Sequence, residues 1–160
     1  MSQLNIKYVK TKNLIPYVNN SRTHSDQQIQ QIASSIKEFG FSNPILIDED
    51  NGIIAGHGRL MAAQVLGLNE VPTITLKGLT EAQKKAYVIA DNKIALNSQW
   101  DDSLLKLELE SLSELEFDLD LLGWDVLPEF ESDISYDILD DDSVSDQLDE
   151  MNSGVKKAIQ

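Results

Sequence analysis

The clearest hydrophobic pattern in the chain is a stripe at helical spacing that begins after Ser25. Its apolar members are Ile29, Ile32, Ala33, Ile36 and Phe39. Ser25 is a favourable N-cap with Gln28 in the capping-box position, and Gly40 is a typical helix stop. The pattern therefore predicts an amphipathic helix between Ser25 and Gly40.

Shorter apolar runs follow, separated by glycines and turn signals. Asn51-Gly52 favours a tight turn between two of these runs, which predicts a β-hairpin. The predicted elements, in chain order, are strands over 44–47 and 53–55, a helix over 59–66, a strand over 71–76, and a helix over 81–89 capped by Thr80 and ending near Asp91-Asn92. This order predicts a small α/β (α+β) domain over residues 1–100, with a mixed sheet and flanking helices.

The pattern changes from Ser103 onward, where leucines alternate with acidic residues. The leucines at 104, 105, 107, 109, 112 and 115 predict a helix that packs one face on the domain. An apolar group over 119–124 predicts a short clasp, so residues 101–128 are expected to form an acidic helical extension. Residues 129–160 are rich in Asp and Ser with few apolar residues, which is typical of disordered segments or of segments that fold only on binding.

The net charge of −14 is concentrated in the second part of the chain. Residues 1–100 have ten Lys or Arg against eight Asp or Glu, whereas residues 101–160 have three against nineteen. Because an acidic surface repels phosphates, the chain is expected to bind duplex DNA only weakly or indirectly. The sequence contains no cysteine, and no apolar run suits a signal peptide or a membrane span. We therefore expect a cytoplasmic protein without disulfides.

The strongest candidate for chemistry is Gly56-His57-Gly58-Arg59, which follows a predicted strand and opens a predicted helix. Free N–H groups at a helix N-terminus favour an anion, and glycines let the anion approach the backbone closely. Arg59 adds a permanently charged donor for phosphate oxygens. These features indicate a phosphate site, although the same spacing also fits a plain strand-to-helix turn with a surface arginine.

Four residues have both a functional and a structural interpretation. His57 is either an acid or base near neutral pH or a polar loop residue without a catalytic role. Asp91, a second catalytic candidate, and Asn92 offer oxygen ligands that suit Mg²⁺ beside a nucleotide, whereas Asn92 alternatively caps the end of its helix. Arg22 precedes the first helix and either faces the same pocket or is an exposed loop arginine.

Seven runs of residues resemble the ParB N-terminal domain in order and spacing over about residues 4–95. They are Leu14–Tyr17, Asn20–Arg22, Ile32–Gly40, Pro44–Ile47, Ile54–Arg59, Ala62-Ala63 and Val71-Pro72. Ala90–Ala95 and Trp100-Asp101 are similar to a phage and prophage subfamily that is often fused to, or encoded near, DNA methyltransferases. The resemblance implies the ParB/sulfiredoxin fold and a site for a nucleoside triphosphate, CTP or ATP, with Mg²⁺.

The resemblance also assigns roles to individual residues. The Gly-Glu-Arg-Arg box of chromosome-partitioning members, which bind and hydrolyse CTP, falls on residues 56–59, where Gly56 and Arg59 match. Their Glu-Asn-x-x-Arg box falls on residues 91–95, where Asn92 matches and Asp91 is a conservative change. The implied nucleotide ligands are Gly56, His57, Gly58, Arg59, Arg22 and Asn92, with Mg²⁺ at Asp91 and Asn92. Sulfiredoxin chemistry is excluded, because His57 stands at the position of its reactive cysteine.

Three functions remain open at this point. The first is a nucleotide-binding module, with or without weak triphosphatase activity, in phage or plasmid DNA metabolism. The second is a non-enzymatic adaptor whose acidic C-terminal part docks a DNA methyltransferase or another DNA-processing protein, and the third is a nuclease. The chain has no Asp/Asn-Pro-Pro-Tyr methyltransferase motif and no basic helix-turn-helix after residue 100.

Overall fold

A computed structural model describes residues 3–20 and 22–124 of the chain. It contains four strands and four helices within these residues, with 3-10 turns at Thr11–Asn13 and Leu119–Leu122. In chain order the elements are β1 (Ile6–Lys10), α1 (Asp26–Phe39), β2 (Ile45–Ile47), β3 (Ile53–Ala55), α2 (His57–Val65), β4 (Glu70–Thr75), α3 (Glu81–Leu96) and α4 (Asp102–Glu114). Among them, no helix is both long enough and apolar enough to cross a membrane.

The four strands form one mixed sheet in the order β1-β4-β2-β3. β1 pairs antiparallel with β4, placing Val9 opposite Val71, and β2 pairs parallel with β4, placing Ile45 opposite Thr73. β2 and β3 form the predicted hairpin, and Asn51 in its turn has the expected positive φ of 65°. The predicted α/β class with a mixed sheet and flanking helices is confirmed.

Two groups of buried apolar residues hold α2 against the sheet and against α1. The first group joins the sheet to α2 and consists of Leu14, Ile45, Ile47, Ile53, Leu60, Ala63 and Val71. The second lies between α1 and α2 and consists of Ile29, Ala33 and Ala62, the last of which is fully buried. Because side chains on two of its faces are buried, α2 is a rigid element on which a site can be built.

The structure corrects the sequence prediction at three elements. β1 was not predicted, and it is an edge strand whose Ile6 and Tyr8 are 59% and 70% exposed. α2 begins at His57, two residues earlier than expected, directly after Gly56. α3 continues to Leu96, so Asn92 lies inside the helix and the interpretation of Asn92 as a C-terminal cap is wrong. The side-chain amide of Asn92 donates to the carbonyl of Val88 one turn back, which is compatible with an uninterrupted helix.

The N-termini of α1 and α3 follow their predicted N-cap residues. Ser25 accepts the N–H of Gln28, as predicted, but the Gln28 side chain contacts His24 rather than completing a capping box. Thr80 and Gln83 form a complete capping box at the start of α3. α3 meets the hairpin through Lys84, whose Nζ lies 3.2 Å from Asp48 Oδ2.

The acidic leucine-rich segment folds as α4 and the turn at Leu119–Leu122. The ring of Phe117 stacks on that of Phe39 at the end of α1, with a centroid distance of 6.2 Å. Residues Met1–Pro128 form one compact unit. The disorder expected for residues 129–160 concerns a part of the chain that lies outside the described residues.

Candidate functional site

A polar cleft of about 170 Å³ lies at the N-terminus of α2. α1, α3 and the segment before α1 supply its other walls. Its lining residues are Asn20, Arg22, His24, Gln28, Ile32, Ile54, Ala55, Gly56, His57, Gly58, Arg59, Asp91 and Asn92. The structure therefore brings together every residue that the sequence nominated for nucleotide, metal or catalysis.

The start of α2 has the features of an anion site. Gly56 is the N-cap residue and adopts φ 108° and ψ 26°, a left-handed conformation that glycine reaches without a steric penalty. No side chain caps this terminus, and the first turn contains no acidic residue. The N–H groups of the first turn and the positive end of the helix dipole are thus available for an anion in the cleft.

Arg59 lies in the same first turn and is only partly satisfied by the protein. Its Nη2 donates to the carbonyl of Pro44 at 3.1 Å. Its Nε is buried and has no hydrogen-bond partner among the described residues. Burial lowers the pKa of Arg59, and the charge of Asp91 opposes that shift. A guanidinium with a buried, unpaired N–H can donate to an acceptor such as a phosphate oxygen.

His57 is held by the backbone of the segment before α1. The N–H of Tyr17 donates to His57 Nε2 at 3.0 Å. Since a backbone N–H can only donate, Nε2 must be unprotonated, and the neutral ring carries its proton on Nδ1. Burial lowers the pKa of His57, and the neighbouring His24 lowers it further. In this arrangement Nε2 is not free to act as a general base. Nε2 has a structural role as an acceptor, and Nδ1–H is a hydrogen-bond donor.

Arg22 faces the cleft and connects it to α3. Its Nη1 donates to Asn92 Oδ1 at 2.7 Å, and Asn92 Nδ2 donates to the carbonyl of Val88 at 2.8 Å. Both ends of the Asn92 amide are therefore engaged, and a cation already contacts its oxygen. Among the residues that line the cleft, Asp91 is the single carboxylate.

The sequence did not nominate six of the residues that line the cleft, among them the polar residues His24 and Asn20. His24 Nδ1 lies 3.0 Å from Gln28 Oε1, and its ring packs against Gly58. A Cβ on Gly58 would lie 3.0 Å from both His24 Cε1 and Ile32 Cδ1, so this glycine is needed for close packing. The sequence offered no periodic or motif signal for His24, because its partners lie on two separate elements.

Comparisons with known proteins agree with this fold and extend over most of the described residues. The family model of the ParB N-terminal domain matches residues 1–92. The chain is 53% identical over 83 residues to the ParB-like nuclease domain-containing protein YnaK of Escherichia coli K12, covering 52% of this chain and 95% of YnaK. It is 33% identical over 92 residues to the nucleoid occlusion protein of Geobacillus kaustophilus, covering 54% of this chain and 32% of that protein.

Among solved structures, the chain is similar to the C-terminally truncated chromosome-partitioning protein ParB of Caulobacter crescentus complexed with CTP-γ-S. The TM-score is 0.62 at 21% identity, over 74% of this chain and 69% of that one, so the likeness concerns the fold. The chain spans nearly all of YnaK but only about a third of the nucleoid occlusion protein. By the family match over residues 1–92 and the identity to YnaK, this chain belongs to the ParB N-terminal domain family.

Proposed function

We propose that this chain is a ParB-like module that binds a nucleoside triphosphate, CTP or ATP, in the cleft at the start of α2. The observation that carries the proposal is the buried Arg59 Nε without a partner among the described residues, beside a helix N-terminus that no side chain caps. Phosphate oxygens satisfy both features at once. The CTP-γ-S complex of the Caulobacter ParB supports a nucleotide as the source of those oxygens.

Each wall of the cleft has a role in this proposal. The first-turn N–H groups and Arg59 hold the phosphates from one side, and Arg22 contacts them from the mouth of the cleft. Before a nucleotide binds, the side-chain hydrogen bond from Arg22 to Asn92 holds the arginine in place. Because Arg22 is exposed, its contribution depends more on salt concentration than that of the half-buried Arg59.

Mg²⁺ fits the cleft in part. The ion binds proteins through one or two carboxylates together with phosphate oxygens, and Asp91 is the carboxylate that would hold it here. Asn92, the second expected ligand, is engaged by Arg22 and Val88. When bound, the ion would neutralise part of the phosphate charge.

Hydrolysis of a bound triphosphate requires a group that can move a proton. Of the two catalytic candidates that the sequence nominated, His57 has its Nε2 occupied by Tyr17, which leaves Asp91 for moving a proton in the cleft. We therefore propose slow triphosphatase activity at most, in a protein that acts in phage or plasmid DNA metabolism. A nuclease is the function that the geometry supports least, since the described residues contain no group of three His, Cys, Asp or Glu side chains that could hold a metal.

A thermal-shift screen of CTP, ATP, GTP and UTP, each with and without Mg²⁺, tests the proposal. A ligand at about 100 times its Kd should stabilise the folded chain by about 2.7 kcal/mol. Arg59→Ala should reduce the stabilisation to about 0.3–1.3 kcal/mol at the same ligand concentration, whereas Lys93→Ala, an exposed position on α3 outside the cleft, should keep it. If no nucleotide shifts the wild-type chain, or if both variants shift equally, the cleft is not a nucleotide site.

The adaptor function remains a second candidate because of one surface of α4. Leu104 and Leu107 are each 60% exposed, and Glu108 and Glu110 beside them are also exposed. Such a surface suits a partner with apolar and basic side chains. Co-purification with a DNA methyltransferase should be lost in a Leu104→Asp/Leu107→Asp variant. It should survive in Val65→Asp, which changes an exposed apolar residue of α2, and loss in both variants would speak against a specific surface.

A further inference from the structure

A continuous series of hydrogen bonds crosses the cleft from α2 to α3. It begins at His57, whose Nε2 accepts the N–H of Tyr17 at 3.0 Å in a partly buried position. Tyr17 in turn accepts the N–H of Asn20 through its carbonyl at 3.2 Å, which closes a turn. The first half of the series therefore fixes the turn at residues 17–20 to the start of α2.

The second half connects this turn to α3. Asn20 Oδ1 accepts the N–H of Arg22 at 3.3 Å, and Arg22 Nη1 donates to Asn92 Oδ1 at 2.7 Å. Asn92 Nδ2 then donates to the carbonyl of Val88 at 2.8 Å. Every member of this series except Tyr17 and Val88 lines the cleft. The position of the Arg22 side chain is thus linked, step by step, to the acceptor on His57.

His57 can contribute to phosphate binding in two chemically different ways. Its Nδ1–H could donate directly to the ligand, which would make His57 a contact residue. Its Nε2 could instead act through Tyr17 and the turn, which would make it a positioning residue. The two roles use opposite nitrogens, and among the described residues the structure shows a bond at Nε2 only. An exposed arginine contributes more to ligand affinity when its side chain is held in place before the ligand binds. Less side-chain freedom is then lost on binding.

We propose that His57 is a positioning residue: by accepting the N–H of Tyr17, it holds the turn at residues 17–20 and thereby places Arg22 over the mouth of the cleft. The inference rests on the proposed nucleotide-binding function for its effect on affinity, but not for the hydrogen-bond series itself. It also gives a role to the second position of the Gly-Glu-Arg-Arg box, where this chain has His57.

Two substitutions separate the roles of the two ring nitrogens. The amide of glutamine reaches about as far as Nε2, so His57→Gln can still accept from Tyr17. The shorter amide of asparagine reaches only about as far as Nδ1, so His57→Asn cannot. We expect His57→Asn to weaken CTP or ATP binding by roughly 3- to 10-fold, the range for one neutral hydrogen bond, and His57→Gln to stay within about twofold of wild type. The reverse order would overturn the proposal and make Nδ1–H a direct ligand contact.

A double-mutant cycle tests whether His57 acts through Arg22. In an Arg22→Ala background, His57→Asn should cause no further loss of affinity beyond about twofold, because the group that it positions is already absent. Losses that multiply in the double variant would mean that the two residues act independently, and the positioning role would be wrong.

An NMR readout tests the series without any nucleotide. The wild-type ring of His57 should have an unprotonated Nε2 and a protonated Nδ1 at pH 7–8. The Tyr17 amide should exchange at least about tenfold faster in His57→Asn than in His57→Gln. The Asn92 side-chain amide should shift in both His57→Asn and Arg22→Ala. A proton on Nε2, or an unchanged Asn92 amide in His57→Asn, overturns the inference. Absence of nucleotide binding by the wild type would overturn only the proposed function.

Discussion

Gly56→Ala should disable the cleft by two separable effects. Gly56 has φ 108° and ψ 26°, a left-handed conformation in which an L-residue costs about 1–2 kcal/mol more than glycine. The new Cβ would also lie 2.9 Å from Arg59 Nη2 and 3.1 Å from Nε, so the guanidinium must move. That movement sacrifices the hydrogen bond from Nη2 to Pro44, worth about 1–2 kcal/mol. We expect a total loss of about 2–4 kcal/mol in the free energy of unfolding.

Gly67→Ala is the matched control for the backbone effect. Gly67 also has a positive φ, 67°, but a Cβ there would meet nothing within 4 Å, and the residue does not line the cleft. Urea denaturation should show a loss of about 1–2 kcal/mol for this variant, from backbone strain alone. Calorimetric titration should show wild-type nucleotide affinity for Gly67→Ala and at least about a tenfold loss for Gly56→Ala, because a charged contact is displaced.

The comparison of the two glycine variants can refute the reasoning. Equal losses of stability would mean that the guanidinium of Arg59 moves aside without penalty. Unchanged nucleotide affinity in Gly56→Ala would mean that neither the start of α2 nor Arg59 contacts the phosphates. Both results together would leave Gly56 as an ordinary turn glycine.

Three further predictions address Arg59, Asp48 and DNA. Arg59→Ala should weaken nucleotide binding by about 1.5–3 kcal/mol in calorimetry, and an unchanged Kd would exclude Arg59 as a phosphate ligand. Burial raises the pKa of Asp48, but hydrogen bonds from Gly52, Lys84 and Asp50 outweigh this and lower it below 3.8. The ionised carboxylate therefore stabilises the fold above that pH, the effect is lost as the pH falls through the lowered pKa, and acid titrations should show a smaller loss in Asp48→Asn. The chain should not bind duplex DNA tightly at physiological salt, given the net charge of −14, and nanomolar affinity in fluorescence anisotropy would contradict this.

Elements with local signals were predictable from the sequence. The helix between Ser25 and Gly40 is confirmed as α1, since an N-cap hydroxyl and a positive-φ glycine act within one turn of the helix. β1 was missed because its evidence is not local. Ile6 and Tyr8 are exposed, and the strand exists through pairing with β4, 60 to 68 residues away along the chain. An edge strand with one open face lacks the apolar run that marks a buried strand.

In the candidate site too, residues that are close in sequence were predictable, and contacts between distant residues were not. Gly56 and Arg59 were found because a glycine before a helix and an arginine in its first turn are neighbours in sequence. The bond between Tyr17 and His57 joins residues 40 positions apart and leaves no trace in the spacing of either motif. Asn92 was nominated as a ligand, yet its amide is engaged by Arg22 and Val88, which only the packing of α3 reveals.

The charges of the cleft determine how the proposed site would bind a phosphate. Among the lining residues, Arg22 and Arg59 are the permanent cations, Asp91 is the carboxylate, and His57 is held neutral by the N–H of Tyr17. Two arginines opposed by one carboxylate would neutralise little of a triphosphate, so in the proposed site oriented backbone N–H groups and a divalent cation at Asp91 would supply the rest. A site of this composition depends on geometry more than on accumulated charge. This dependence is consistent with a glycine in a left-handed conformation before α2 and with an arginine linked to both α2 and α3 through five successive hydrogen bonds.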